Sequence, residues 1–281
     1  MMSGLVVGEN LPMNDLSLLL NRRAEIETVI GRTVWTSVKV HGLFVPASGL
    51  QSRLNKFGQN LVVFTHVDGY EVQLIGSATG LHYCGANFLV CTAHQVKDFS
   101  AQDVGIIVPE ESCYVSSAGF TRFRTADTLL QGDAEDLCAF DFTPQTTANQ
   151  ELVERFFRLR PSDFLRDDED VVAYLAYGYP FVDQKYDIVD ENHLGLVIRS
   201  MTCEPQNQPA DPALALCRLL SPMDFDPNGL SGGPVFATVL QDHEIVLKFA
   251  GVINRSGKGL IHFIKAPAVQ KLLNFCFDQP A

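Results

Sequence analysis

The chain has 281 residues, 46% of them apolar, with a formal net charge of -12 and a pI near 4.9. That apolar content sustains one large core or two small ones and excludes a mainly disordered chain. The acidic balance, with no stripe of Lys or Arg, excludes nucleic acid and anionic membrane as expected partners, because phosphate-rich surfaces attract cations.

The first segment, "MMSGLVVGENLPMNDL", lacks the basic start and long apolar run of a signal peptide. No apolar stretch approaches the roughly 20 residues needed to cross a bilayer. The expectation is a soluble cytoplasmic protein. Residues 14–30 place Leu16, Leu19, Leu20, Ile26 and Ile30 on one helical face, with Asn14 or Asp15 as cap and Gly31 as stop. This predicts an N-terminal helical extension over 1–31.

From residue 32 the pattern changes to short apolar or alternating runs broken by turn residues. "TVWTSVKVHGLFV", "NLVVFTHV", "YEVQLIGSA", "NFLVCTA", "VGIIVP" and "DLCAFDF" fill 32–143. "VVAYLAYGYPF", "LGLVIRSMT", "ALALCRLL", "EIVLKFAGVIN" and "GLIHFI" follow in 171–281. Eleven such runs with little helix between them predict an all-β protein of two barrels or a double sandwich. Between the halves, 144–170 is polar, partly helical and ends in Asp167, Asp168, Glu169 and Asp170. It reads as an inter-barrel linker with a solvated acidic loop, a Ca²⁺ or cationic-partner site being the alternative. In the tail, Val269, Leu272, Leu273 and Cys276 share one face, predicting a closing helix packed on the second half.

Seven scattered cysteines, an odd number set mostly in apolar runs, read as buried free thiols of a reducing compartment. His82, Cys84, Cys91 and His94 lack the spacing of zinc ligands. No metal and no cofactor is expected.

The residues that carry chemistry begin with "DPNGLSGGPVF" at 226–236. A phosphate loop would lead into a helix with a Lys close behind, but here Pro234 and a strand-like run follow. A plain turn does not need three glycines around a serine. A nucleophilic Ser231 would need an imidazole to take its proton and a carboxylate to orient that imidazole. His94 follows an apolar strand and the small corner Thr92-Ala93. Asp136 opens "DLCAF", a carboxylate at the mouth of a core, where it is costly unless paired. Asp141 is the runner-up, and Asp133 lies in a solvated stretch.

In this order "TAH" (92–94), "DLCAF" (136–140) and "GLSGGP" (229–234) resemble the three signature blocks of trypsin-like, chymotrypsin-fold serine peptidases. The resemblance spans about residues 32–276. It implies two six-stranded antiparallel β-barrels with the site in the cleft between them. It further implies His94 as general base, Asp136 as its orienting carboxylate, Ser231 as acylated nucleophile, and the N–H groups of Gly229 and Ser231 as oxyanion hole. Gly232 and Gly233 would allow close packing behind the serine.

Two departures matter. Secreted relatives carry an Asp just before the serine, which pairs with a freed N-terminus; here that position is Leu230, so activation by that cut is not expected. They also staple the histidine loop with a disulfide, of which Cys84-Gly85 resembles one half, while His94 is followed by Gln95. In both respects the chain is more similar to bacterial trypsin-like peptidase domains.

The resemblance assigns the primary pocket to Asp224, Phe225 and Asp226 and to the strand around Asn254, Arg255 and Ser256, which would pair with substrate backbone. An acid at the pocket floor would select Lys or Arg, Phe225 a smaller or apolar residue, and an inward Arg255 an acidic one. The expected function is an intracellular serine endopeptidase acting on proteins or peptides, regulated by a trigger or by a partner docked on the N-terminal helix. A latent or inactive protease acting as a peptide-binding module is the alternative, and an esterase or acyl transferase a third reading.

Overall fold

The computed structural model describes residues 37–68, 71–108, 113–122, 135–147, 149–187 and 193–278; the helix expected over 14–30 lies outside them. The protein is mostly β, with short helices and one longer C-terminal helix. β1 (Ser37–Val40) and β2 (Leu43–Pro46) form a hairpin whose turn residues His41 and Gly42 have φ of 51° and 89°. Positive φ at both central residues matches the right-handed twist of the flanking strands.

The first unit contains β3 (Gly58–Phe64), β4 (Val72–Tyr83), β5 (Ala86–Cys91), β6 (Val104–Val108), β7 (Cys113–Ser116), β8 (Gly119–Arg122) and β9 (Cys138–Asp141). They lie in the order β7-β6-β3-β4-β5-β9-β8. β10 (Phe157–Leu159) joins β4 in parallel.

The second unit contains β11 (Val171–Gly178), β14 (Arg199–Pro205), β15 (Leu214–Leu219), β16 (Pro234–Gln241), β17 (Glu244–Gly257) and β18 (Leu260–Lys265). Because β16 pairs with β17 as well as with β11, these six strands close into a barrel. The small hairpin of β12 (Lys185–Asp187) and β13 (His193–Gly195) lies off it.

Two closed six-stranded barrels were expected; the second closes, and the first is an open half-barrel among the described residues. Its end strands β7 and β8 are four residues each and do not pair with one another. So short an edge offers few ladder hydrogen bonds for closure.

The larger buried clusters follow from strand alternation, in which every second side chain faces inward. The half-barrel buries Leu61, Leu89, Cys91, Ile106, Cys138 and Phe140. The closed barrel buries Ala176, Cys217, Leu230, Val235, Ile253 and Phe263. A third core holds Leu81, Tyr177, Phe236, Phe249 and Val252 from both units.

Residues 144–170 contribute to that shared core. They carry two short helices and β10, and Phe157, Leu159 and Phe164 are buried in it. The C-terminal helix Ala266–Asp278 buries Val269, Leu272 and Leu273 there. It also reaches the first unit, where Asn274 accepts a hydrogen bond from the Tyr83 hydroxyl at 3.0 Å. No helix among the described residues is long and apolar enough to cross a membrane.

Candidate active site

β5 ends at Cys91, and the chain turns at once into a short 3₁₀ segment, Ala93–Gln95. Thr92 and Ala93 are fully buried, so the turn sits tight against the core and carries His94 outward, half exposed. Asp136, just before β9, clasps this turn at three points. Its backbone carbonyl accepts from Ala93 N at 3.2 Å, Oδ1 accepts from His94 N at 2.9 Å, and Oδ2 lies 2.6 Å from His94 Nδ1. Direct pairing of β5 with β9, Cys91 opposite Cys138, brings the two residues together. With Nδ1–H on the carboxylate, Nε2 is the basic nitrogen, free to take a proton. Asp141 is engaged elsewhere, accepting from Thr143 N at 2.8 Å.

Ser231 lies in the loop before β16, in a tight turn where Leu230 N donates to Pro227 O at 3.1 Å. Gly229 takes φ +100°, which an L side chain rarely adopts, and a Cβ there would meet Tyr179 O at 2.5 Å. The Asn228 carbonyl accepts from Phe181 N at 2.8 Å. Since C=O and N–H of one trans peptide point opposite ways, the Gly229 N–H faces away from Phe181. Among the described residues, neither the Gly229 nor the Ser231 N–H has a hydrogen-bond partner. The Ser231 hydroxyl donates to the Asn254 carbonyl at 2.7 Å, and no hydrogen bond links it to His94.

The two units are joined at this loop by side chains that the sequence did not single out. Gln95 Nε2 donates to Ser231 O at 2.8 Å, and Gln95 Oε1 accepts from Thr92 N at 3.1 Å and Thr92 Oγ1 at 2.6 Å. From β4, Ser77 Oγ donates to Gly229 O at 2.6 Å and Thr79 Oγ1 donates to Gly232 O at 2.8 Å. A Cβ on Gly232, where φ is +86°, would strike the Ser77 carbonyl oxygen. The one available signal was Gln95 following the histidine directly. Ser77 and Thr79 stand in an ordinary strand run.

Cys84 is exposed in the β4–β5 turn, with φ +49°. All seven cysteines are free, and Cys91, Cys138, Cys203 and Cys217 are the buried ones. Burial pushes the Cys91 thiol well up, and the neighbouring Cys138 adds to this. These are the properties of inert core thiols.

Residues assigned to substrate binding divide. Asp224 and Asp226 are exposed. Both Asp226 oxygens are occupied by its own loop, accepting from Asn228 N at 3.0 Å and Asn228 Nδ2 at 3.1 Å. Neither acid is buried as a pocket floor. Phe225 is half-buried against the closed-barrel core, with Arg199 5.4 Å from its ring centroid. Asn254 is buried beside a register shift in β17, Arg255 is exposed, and Ser256 is intermediate. Leu230 is fully buried in the barrel core, where a carboxylate would be desolvated.

The acidic loop is tied down by ion pairs. Asp167 meets Lys265 at 2.9 Å, and Glu169 meets the buried Lys248 at 3.1 Å.

Fold and site together define a protein of two antiparallel β units, with an imidazole–carboxylate pair on one and a glycine-flanked serine on the other, joined at their seam. No protein-family model matches the chain, and no curated protein matches it. Among solved structures it is similar to an inactivated protease paralogue of the scabies mite, at 10% identity and a TM-score of 0.48, over 80% of this chain and 95% of that one.

Proposed function

We propose that the protein is a serine peptidase whose resting state holds the nucleophile on a backbone carbonyl and not on its base. The observation that carries this reading is the His94–Asp136 pair: a carboxylate bound to both the backbone N and Nδ1 of one histidine fixes ring and tautomer together. A structural surface histidine needs no such double clasp.

Catalysis requires the Ser231 hydroxyl to leave the Asn254 carbonyl for His94 Nε2. Nε2 then takes the hydroxyl proton as Oγ bonds to the scissile carbonyl carbon. The Gly229 and Ser231 N–H groups receive the developing oxyanion. His94 returns the proton to the departing amine as the C–N bond breaks, and water repeats the sequence on the acyl-enzyme.

A second reading, a latent protease or peptide-binding module, is favoured by the Ser231 hydroxyl lying on Asn254 O. Labelling with a fluorophosphonate separates the two. The peptidase reading expects stoichiometric labelling of wild type and none of Ser231→Ala, with a steep loss in His94→Ala. A wild type that stays unlabelled with and without peptide present overturns it.

A further inference from the structure

We propose that the end of the closed barrel remote from Ser231 binds a small monocarboxylate, held by the Lys265 ammonium and the Tyr174 hydroxyl in the place that Asp167 now occupies. A cavity of about 130 Å³ lies there, where the acidic loop meets the barrel; one water needs only about 10–15 Å³. β11 runs from Val171 and Tyr174 at the cavity to Gly178, where a Cβ would meet Leu230 of the serine loop. Four residues of strand at about 3.3 Å each put about 13 Å between Tyr174 and that loop. The site is therefore separate from the serine and stands whether or not Ser231 is a nucleophile.

Tyr174 lines the cavity, is 7% exposed, and its hydroxyl has no hydrogen-bond partner among the described residues. A buried donor without an acceptor marks a place where a partner is missing. Burial pushes this phenol up to about 12, with Cys217 and Asp167 adding to it, so it keeps its proton at neutral pH and is available as a donor. The influence of Asp167 puts the hydroxyl on the loop side, at the cavity.

The charges around the cavity select an anion. Glu169 is already served, by the Lys248 ammonium at 3.1 Å and by Arg166 N at 2.8 Å. Asp167 accepts from Lys265 Nζ at 2.9 Å. A cation that captured Asp167 would strand Lys265, whose side chain is only 16% exposed, and a stranded buried charge is costly. A carboxylate that displaced Asp167 strands nothing: Lys265 exchanges one carboxylate for another, and Asp167, 76% exposed, returns to water. The Arg166 guanidinium, which meets Asp168 and Glu169 only at 3.5 and 4.0 Å, adds a second cation at the rim. Leu165, Ala250 and Phe263 supply wall for a short hydrocarbon tail. A free short-chain acid and the C-terminus of a peptide both present this chemistry.

The test is thermal melting of the full chain in sodium butyrate, in butyramide, which has the same shape without the charge, and in sodium chloride at equal ionic strength. Butyrate should raise the melting temperature and neither control should. Tyr174→Phe removes only a hydroxyl that has no partner, so it should fold and lose the butyrate shift; Lys265→Met should lose it as well. Asp167→Asn removes the competing carboxylate, and calorimetric titration should show butyrate bound about two- to fivefold more tightly than by wild type, the worth of an exposed ion pair. A shift no larger in butyrate than in chloride, for both wild type and Asp167→Asn, overturns the site, as does a Tyr174→Phe variant that responds like wild type. N-acetylalanylvaline, titrated alongside, separates the two sources: binding tighter than butyrate assigns the cavity to a peptide terminus, weaker binding to a free acid, and carboxylate recognition is upheld by either.

Discussion

The side-chain amide of Gln95 donates to the backbone carbonyl of Ser231 at 2.8 Å, so the residue after the candidate base holds the candidate nucleophile's own peptide across the seam. Both ends of this amide are used, since its oxygen accepts twice from Thr92. Gln95→Leu would leave the Thr92 donors without this acceptor and the Ser231 carbonyl with Ser77 N alone, at 3.1 Å. A loss of about 1–3 kcal/mol is expected for unsatisfied buried groups. Urea denaturation should show the lower midpoint, with fluorophosphonate labelling slowed as the two units lose register. Unchanged stability and labelling would remove Gln95 from any positioning role.

Gly232→Ala should be far more costly than a surface substitution. The new Cβ must be placed at φ +86° and against the Ser77 carbonyl, which is backbone and cannot swing aside. At Gly257 a Cβ meets nothing within 4 Å. Thermal melts of the two variants should therefore separate, with Gly232→Ala unfolding earlier or failing to accumulate as folded protein.

Asp136→Asn keeps the shape of the carboxylate while making it a poor partner for Nδ1–H. The imidazole then turns its proton toward the serine and ceases to be a base. Labelling by the fluorophosphonate should fall by about 10⁴ in rate. Asp141→Asn, whose carboxylate caps Thr143, should label as wild type. Equal rates for wild type and Asp136→Asn would dismiss the pair as catalytic.

Asp163 supplies a pH dependence of stability. Burial by itself would raise its carboxyl, but hydrogen bonds from His41 and from the Arg160 side chain and backbone outweigh burial and hold it well below the usual carboxylate range. A carboxyl lowered in the folded state stabilises above its unfolded value, about 3.9, and that contribution is lost as pH falls through the lower folded value. The urea midpoint of Asp163→Asn should lie below wild type at pH 7, with the gap narrowing progressively below about pH 4. A gap that widens on acidification would reverse the sign and refute the account.

Two lysines test what the acidic loop does. Lys248 and Glu169 are both about nine-tenths buried as side chains and 3.1 Å apart, so Lys248→Met leaves the buried carboxylate with Arg166 alone and should cost about 3–5 kcal/mol. Lys265 pairs with an Asp167 that is 76% exposed, and Lys265→Met should cost about 1 kcal/mol or less. Comparable losses for both would mean that burial does not govern these pairs.

The β character of the chain was legible because strand alternation is local: each run carries its own period, and turn residues mark its ends. His94, Asp136 and Ser231 were legible for a related reason, since the residue types around each constrain its backbone within a few positions. Phe157 and Leu159 were not, because their run is interspersed with arginines and their burial depends on β10 finding β4 from 70 residues away or more.

Closure was decided by pairing between remote strands. β16, already in a hairpin with β17, also meets β11 far earlier in the chain and seals the second unit, while among the described residues β7 and β8 leave the first open. The same holds within the site. Sequence alone determined which residues were candidates for the chemistry and that Leu230, not an acid, precedes the serine. Only the tertiary structure decided where the Ser231 hydroxyl points, that Asp226 serves its own turn, and that Gln95, Ser77 and Thr79 bind the serine loop. Apart from the Asp226 turn, those are contacts between residues 23 to 153 positions apart, and no local pattern encodes a partner at that distance.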